Sequence, residues 1–284
     1  MLWLILVIIS AVSGSLSKVL QKVLLKGEDS DPVAFGFIFQ LLVAILFLLY
    51  ALLTQSLHFP MLAGLIFNIV VMSLFYGLGN LFTFKAFKLA EASEVSVIFA
   101  SSTLWSVVAA LFLLGEKLNS MKIVGMLLVI AGLIAINYRK SKWKVNKGHT
   151  FAFLAAMLFG IAFTNDAFII TRFKSVASYM IIAFALPAFT TLVFRPKSIK
   201  NVPYFFNKKI IVRLLICGFF YFLAALTIFE AYKRGGLASI ISPISESSLV
   251  FTVIISYIFL REKNHVWNKV LGTILTLGGI LLLI

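Results

Sequence analysis

Ten long apolar stretches, separated by short polar connections, dictate the solvent in which this chain can fold. They cover residues 2–25, 32–54, 61–84, 95–114, 121–137, 150–172, 177–194, 210–231, 238–260 and 266–284. A helix of roughly 20 residues, rising about 1.5 Å per residue, covers a hydrocarbon layer about 30 Å thick. Each stretch is therefore read as one membrane-spanning helix. The remaining composition agrees. Hydrophobic residues make up 62% of the 284 and charged residues 12%, whereas soluble domains carry about 25% charged residues. A water-soluble fold of this length could not hide so much apolar surface. The first stretch lacks a basic leader and a clear small-residue cleavage site, so it is expected to be retained as a span.

The connections carry the polar residues. Lys26 to Asp31 (KGEDSD) precedes Pro32, a residue suited to the first turn of a helix. The sharpest change in composition is the basic segment 138–149. The longest connection, 195–209, has an apolar centre (VPYFF) expected to lie in the membrane interface.

The ten spans divide into five and five, and the two halves correspond. Glu116-Lys117 falls on Glu262-Lys263 at an offset of 146, as does Ser101-Ser102 on Ser247-Ser248. Ala86 falls on Ala231 at 145 and Gly125 on Gly272 at 147. The expected organisation is a first repeat at 1–137, a basic connection at 138–149 and a second repeat at 150–284. An odd number of spans per repeat starts the second repeat on the opposite side of the bilayer, so the repeats are inverted. The fold class expected is an all-α membrane protein of ten transmembrane helices in two inverted five-helix repeats. Such repeats, meeting near the midplane, are a recurring plan of secondary transporters.

The net charge of +15 raises nucleic-acid binding as an alternative. The basic residues sit in short clusters between apolar runs and form no contiguous phosphate-binding face, so no nucleic-acid partner is expected. Their distribution points instead to membrane orientation. Of the 25 lysines and arginines, 19 fall at connections following odd-numbered spans and 6 at those following even-numbered spans. The positive-inside rule then places the odd-numbered connections in the cytoplasm and both termini outside.

The end of each half resembles the EamA-type repeat of the drug/metabolite transporter superfamily. The first copy reads Ala86-Phe87-Lys88, then Leu114-Gly115-Glu116-Lys117, then Gly125 and Gly132. The second reads Ala231-Tyr232-Lys233, then Leu260-Arg261-Glu262-Lys263, then Gly272 and Gly278-Gly279. Arg261 departs from the pattern where the first copy has Gly115. The resemblance implies export or exchange of small metabolites, amino acids or drugs. Members commonly keep both termini in the cytoplasm, opposite to the charge distribution here.

An ionisable side chain at the centre of a spanning helix costs roughly 2.5 to 3.5 kcal/mol on insertion scales, which marks such residues as candidate functional groups. Glu246, in the segment SPISESS with Ser242 and Ser245, and Asp166, beside Thr164 and Asn165, are the two acids placed deepest. Pro243 removes a helix donor near Glu246, which suits a cavity wall. Polar groups of the matching helices, Asn68, Tyr76, Asn80, Ser101, Ser102, Trp105 and Tyr221, complete the candidate substrate or coupling set. Hydrogen bonding between helices is the competing role for all of them. Ser10, Ser13, Gly14, Ser15 and Ser17 are expected to permit close packing of the first helix. Glu116 and Glu262 are expected to cap the following helix or to pair with nearby lysines. Glu230 is expected to pair with Lys233 or Arg234.

Cys217 is the one cysteine, so no internal disulfide forms. His58, His149 and His265 are scattered, and neither a metal nor another cofactor is expected. No phosphate-binding loop occurs, so transport driven directly by ATP is not expected. The function expected is secondary transport of a small organic solute across the cytoplasmic membrane, with protons coupled through Glu246 or Asp166. The bilayer and a small-molecule substrate are the partners, and the protein is a monomer or homodimer. A polytopic enzyme acting on lipids, or a non-transporting membrane partner or sensor, is the alternative. Clustered His/Asp or paired-Asp motifs at one membrane face, the mark of a lipid enzyme, are not seen in the sequence.

Overall fold

A computed structural model describes residues 2–25, 30–89, 98–99, 101–117, 119–137, 146–246 and 266–283. No strand occurs among them. The α-helices are α1 (Leu2–Leu24), α2 (Pro32–Leu53), α3 (Ile66–Leu89), α4 (Ser102–Leu113), α5 (Ser120–Asn137), α6 (Lys147–Ile170), α7 (Val176–Phe194), α8 (Lys208–Lys233), α9 (Ala238–Glu246) and α10 (Val266–Leu283). Six segments, Leu2–Gln21, Pro32–Leu53, Leu62–Thr83, Lys147–Ile170, Val176–Phe194 and Lys208–Lys233, are long and apolar enough to cross a membrane. Two shorter apolar helices are Ser102–Leu113 and Ile123–Gly132. Parts of the expected fourth and ninth spans, 95–97, 100 and 247–260, lie outside the described residues, and Ser247, Ser248, Glu262 and His265 with them.

Local sequence sets the helix starts. Asp31 accepts a hydrogen bond from the Val33 N–H at 2.9 Å, and Pro32 needs none. Partial burial opposes ionisation of Asp31, but hydrogen bonds from Asn201, Ser198 and the Val33 and Ala34 backbone outweigh it and hold the carboxyl below its usual range. At α6, Asn146 and His149 form a reciprocal capping box that starts the helix at Lys147, before the expected 150. The connection expected in the interface is 3-10 helical from Pro196 to Phe206. Its Phe205 turns inward against Phe35 of α2, with ring centroids 5.7 Å apart, while Phe206 is exposed.

The principal helix contacts cross between α1–α5 and α6–α10. Helix α1 packs along α8, α3 along α6, α2 along α7 and α5 along α10, while α4 lies against α6 and α9. Counted within each half, the first helix meets the other half's third in both directions, and the second, fourth and fifth meet their own counterparts. Small polar residues make the α1–α8 contact. Ser10 donates to the Ala224 carbonyl at 2.8 Å and Ser17 to the Cys217 carbonyl at 3.0 Å. Gly160 brings α6 against the backbone of α4, where an added Cβ would lie 2.4 Å from the Ser102 oxygen and 2.9 Å from the Ser106 nitrogen. Backbone contact of this kind replaces the hydrophobic effect, which does not act between helices in lipid.

Hydrogen bonds also sort the connections into two faces. The Ser178 hydroxyl accepts from the His58 N–H at 2.9 Å and donates to the Ser56 carbonyl at 3.2 Å. Lys233 donates to the Lys174 carbonyl, and Glu116 accepts from Ala238 and Ser239. These bonds unite the connections after α2, α4, α6 and α8 in one face. On the other, Asn201 donates to Asp31 at 2.8 Å and joins the connections after α1 and α7.

Candidate functional site

Three consecutive polar residues of α6 form the centre of the site. Successive helix positions point about 100° apart, so Thr164, Asn165 and Asp166 cannot share one partner helix. Thr164 faces α4 and donates to the Ser106 carbonyl at 2.9 Å. Asn165 faces α3, where Asn68 donates to its Oδ1 at 2.7 Å and its amide donates to the Asn68 carbonyl at 2.9 Å. Asp166 lies between α3 and α7. Its Oδ2 accepts from the Tyr76 hydroxyl at 2.6 Å and its Oδ1 from the Tyr179 hydroxyl at 2.5 Å. All three α6 residues are buried. Among the described residues no Lys, Arg or His lies within ion-pair distance of Asp166.

An aromatic layer packs beside the carboxyl. Phe229 of α8 contacts Tyr179 at 5.9 Å and Tyr232 at 5.7 Å between centroids, and Phe163 contacts Tyr232 at 5.6 Å. Tyr221 and Tyr232 both lie within electrostatic reach of Asp166. The Tyr232 hydroxyl is buried and has no hydrogen-bond partner among the described residues. Tyr221 packs edge-on against Phe39 and Phe184, at 5.1 and 5.7 Å.

The expected residues separate into those the fold brings together and those it does not. Asn165 bonds Asn68 and Asp166 bonds Tyr76, two adjacent pairs on consecutive α6 residues, with Tyr221 near them. Asp166 lies toward the end of α6, about one turn before Ile170, and not at its centre. Asn80 is half-buried on α3, one turn beyond Tyr76. Ser101 donates to the Ile98 carbonyl at 2.6 Å, a local bond at the start of α4. Ser102 is buried where α4 meets Gly160, and Trp105 packs edge-on against Phe153 at 5.7 Å. Ser245 is half-buried on α9. The backbones of Ser242 and Glu246 belong to α9, and their side chains lie outside the described residues. Glu230 makes the expected boundary contact with Arg234, at 3.7 Å.

Two groups were not anticipated in these roles. Tyr179 is fully buried on Asp166. The signal for it was a phenol within an apolar span, a group that seeks a partner when buried. Glu116 caps a helix, but that helix is α9 of the other half, through Ala238 at 2.9 Å and Ser239 at 3.0 Å.

Long apolar helices around a buried polar cluster define an integral, multi-pass membrane protein. Its sequence matches the EamA-like transporter family twice, over residues 1–138 and again over 146–284. The chain belongs to that family, and so is a membrane transporter of the drug/metabolite type. No curated protein matches it. A solved crystal structure superposes with a TM-score of 0.78 at 15% identity, covering 99% of this chain and 95% of that one, which speaks for the fold alone.

Proposed function

We propose that this protein is a secondary transporter that moves a small organic solute across the cytoplasmic membrane by alternating access, with a proton taken up and released at Asp166. The observation that carries this reading is a single carboxyl held by phenol hydroxyls from two different helices. An ionised carboxylate only accepts hydrogen bonds, and here each oxygen accepts one. A protonated carboxyl gains a donor and loses acceptor strength at one oxygen, which weakens one tyrosine bond or favours its reversal. Proton uptake therefore alters the tie between α6 and α3 or α7. The reciprocal pairing of helices across the halves supports two inverted five-helix repeats, a plan that provides two equivalent packings.

Purified protein in liposomes, screened against amino acids and metabolites with and without a pH gradient, tests the function. Asp166→Asn keeps the side-chain size but cannot ionise. The variant is expected to lose gradient-driven uptake, a drop of at least about tenfold for loss of a proton-transferring group, while retaining solute exchange. Full gradient-driven uptake by Asp166→Asn would make Asp166 a packing residue and transfer the coupling role to Glu246.

A further inference from the structure

We infer that the contact between Glu116 and the start of α9 is a gate latch, closed in this structure and broken when the transport path opens at that face. The inference rests on the alternating-access reading above. Glu116 stands in the turn after α4, in the first half of the chain, and both of its carboxylate oxygens are engaged. Oε1 accepts from the Ala238 N–H at 2.9 Å and Oε2 from the Ser239 N–H at 3.0 Å. These donors belong to the first turn of α9, in the second half, where backbone N–H groups lack helical partners and the helix dipole favours an anion. The two bonds are charge-assisted and join the halves at one face of the molecule.

Both sides of the contact carry a swivel. Gly115, immediately before Glu116, has φ +66°, and Gly235, three residues before Ala238, has φ +86°. They are the only glycines in the left-handed region among the described residues, and a Cβ added to either would meet nothing within 4 Å. Neither is held by crowding, and glycine moves between left- and right-handed backbone with little steric cost. Each glycine follows a helix C-terminus, α4 at Leu114 and α8 at Arg234, where a left-handed residue is the usual stop, and each leaves the turn beyond it able to pivot.

The polar groups beside the latch also favour a contact that opens. Ser239 is 1% exposed and Tyr232 6% exposed, and among the described residues neither hydroxyl has a hydrogen-bond partner. Tyr232 lies within electrostatic reach of both Glu116 and Asp166. Water admitted on opening satisfies these hydroxyls, which offsets the two bonds lost by Glu116. The Asp166 cluster lies toward the same face, about one turn before the end of α6.

The test uses full-length protein with Cys217→Ser and one introduced cysteine, in detergent, labelled with a hydrophilic maleimide. In Ser239→Cys, adding Glu116→Ala is expected to raise the labelling rate about tenfold, the size of effect when a charge-assisted bond holding one state is removed. In Ser102→Cys, at the opposite end of α4, the same change is expected to lower the rate, because opening one face closes the other. A static cap would reduce thermal stability and move neither rate in this reciprocal way. If Glu116→Ala does not give folded protein, Glu116→Gln, which retains one acceptor oxygen, is used and a smaller rise is expected. An unchanged rate at Ser239→Cys overturns the latch. A raised rate there with an unchanged rate at Ser102→Cys is the local fraying of a static cap and overturns the latch, while the liposome assay above judges the transport reading separately.

Discussion

At the scale of single residues, the partners of Asp166 determine what the site can do. The acid, its neighbour Asn165, and Asn68 and Tyr76 were legible in the sequence because polar side chains in an apolar helix require a reason. Tyr179 was not. A tyrosine near the end of a span ordinarily marks the membrane interface, and only the packing of α7 on α6 turns it inward. Its hydroxyl gives Asp166 half of its hydrogen bonding, so Tyr179→Phe leaves one buried oxygen without a donor. The expected cost is about 1–3 kcal/mol, the usual penalty for orphaning a buried polar group. In an Asp166→Asn background the same substitution should cost less. Equilibrium unfolding of the two single variants and the double variant measures the coupling. Costs that simply add, within about 0.5 kcal/mol, would mean that the two side chains do not depend on one another.

At the scale of elements, the helices were legible and their junctions were not. Apolar length locates α1, α2, α3, α6, α7 and α8 to within a few residues. The segment 195–209 reads as a long connection with an apolar centre, yet Pro196–Phe206 is 3-10 helical and packs its Phe205 against α2. The partner of Glu116 was illegible for a similar reason, since a cap on a helix 122 residues away leaves no local pattern. The crossing of α4 over α6 is the element-level contact easiest to break. Gly160→Ala places a methyl group 2.4 Å from a backbone oxygen that cannot rotate away. Overpacking of this kind costs about 1–3 kcal/mol, read as a lower midpoint of thermal denaturation in detergent. Gly64→Ala, with open space around it, is the matched control and should leave the midpoint within experimental scatter. Equal midpoints for the two variants would show that α4 does not approach α6 this closely.

At the scale of the whole molecule, the hydrogen-bonded ties between connections give the charge distribution a physical frame. The connections after α2, α4, α6 and α8 share one face, and those after α1 and α7 share the other. The 19 basic residues at connections following odd-numbered spans, against 6 at the others, predict a cytoplasmic location for the face holding Asp31 and Asn201. Cysteines introduced singly at His58 and Lys200, both exposed, in a Cys217→Ser background, read this directly. An impermeant reagent applied to intact cells is expected to label the His58 position and spare the Lys200 position. The reverse pattern would give this chain the termini-in orientation common among its relatives. The interlocking of the halves also bears on biogenesis. Ser10 finds its acceptor 214 residues downstream, at Ala224, and the main partners of α1, α2 and α3 all belong to the later half. A ribosome delivers these three helices to the bilayer long before those partners exist. Early in synthesis they stand in lipid with their small and polar faces uncovered, open to membrane chaperones and to quality-control proteases. Synthesis of α8 ends that exposure for α1, so the vulnerable interval is set by the speed of translation across the second half.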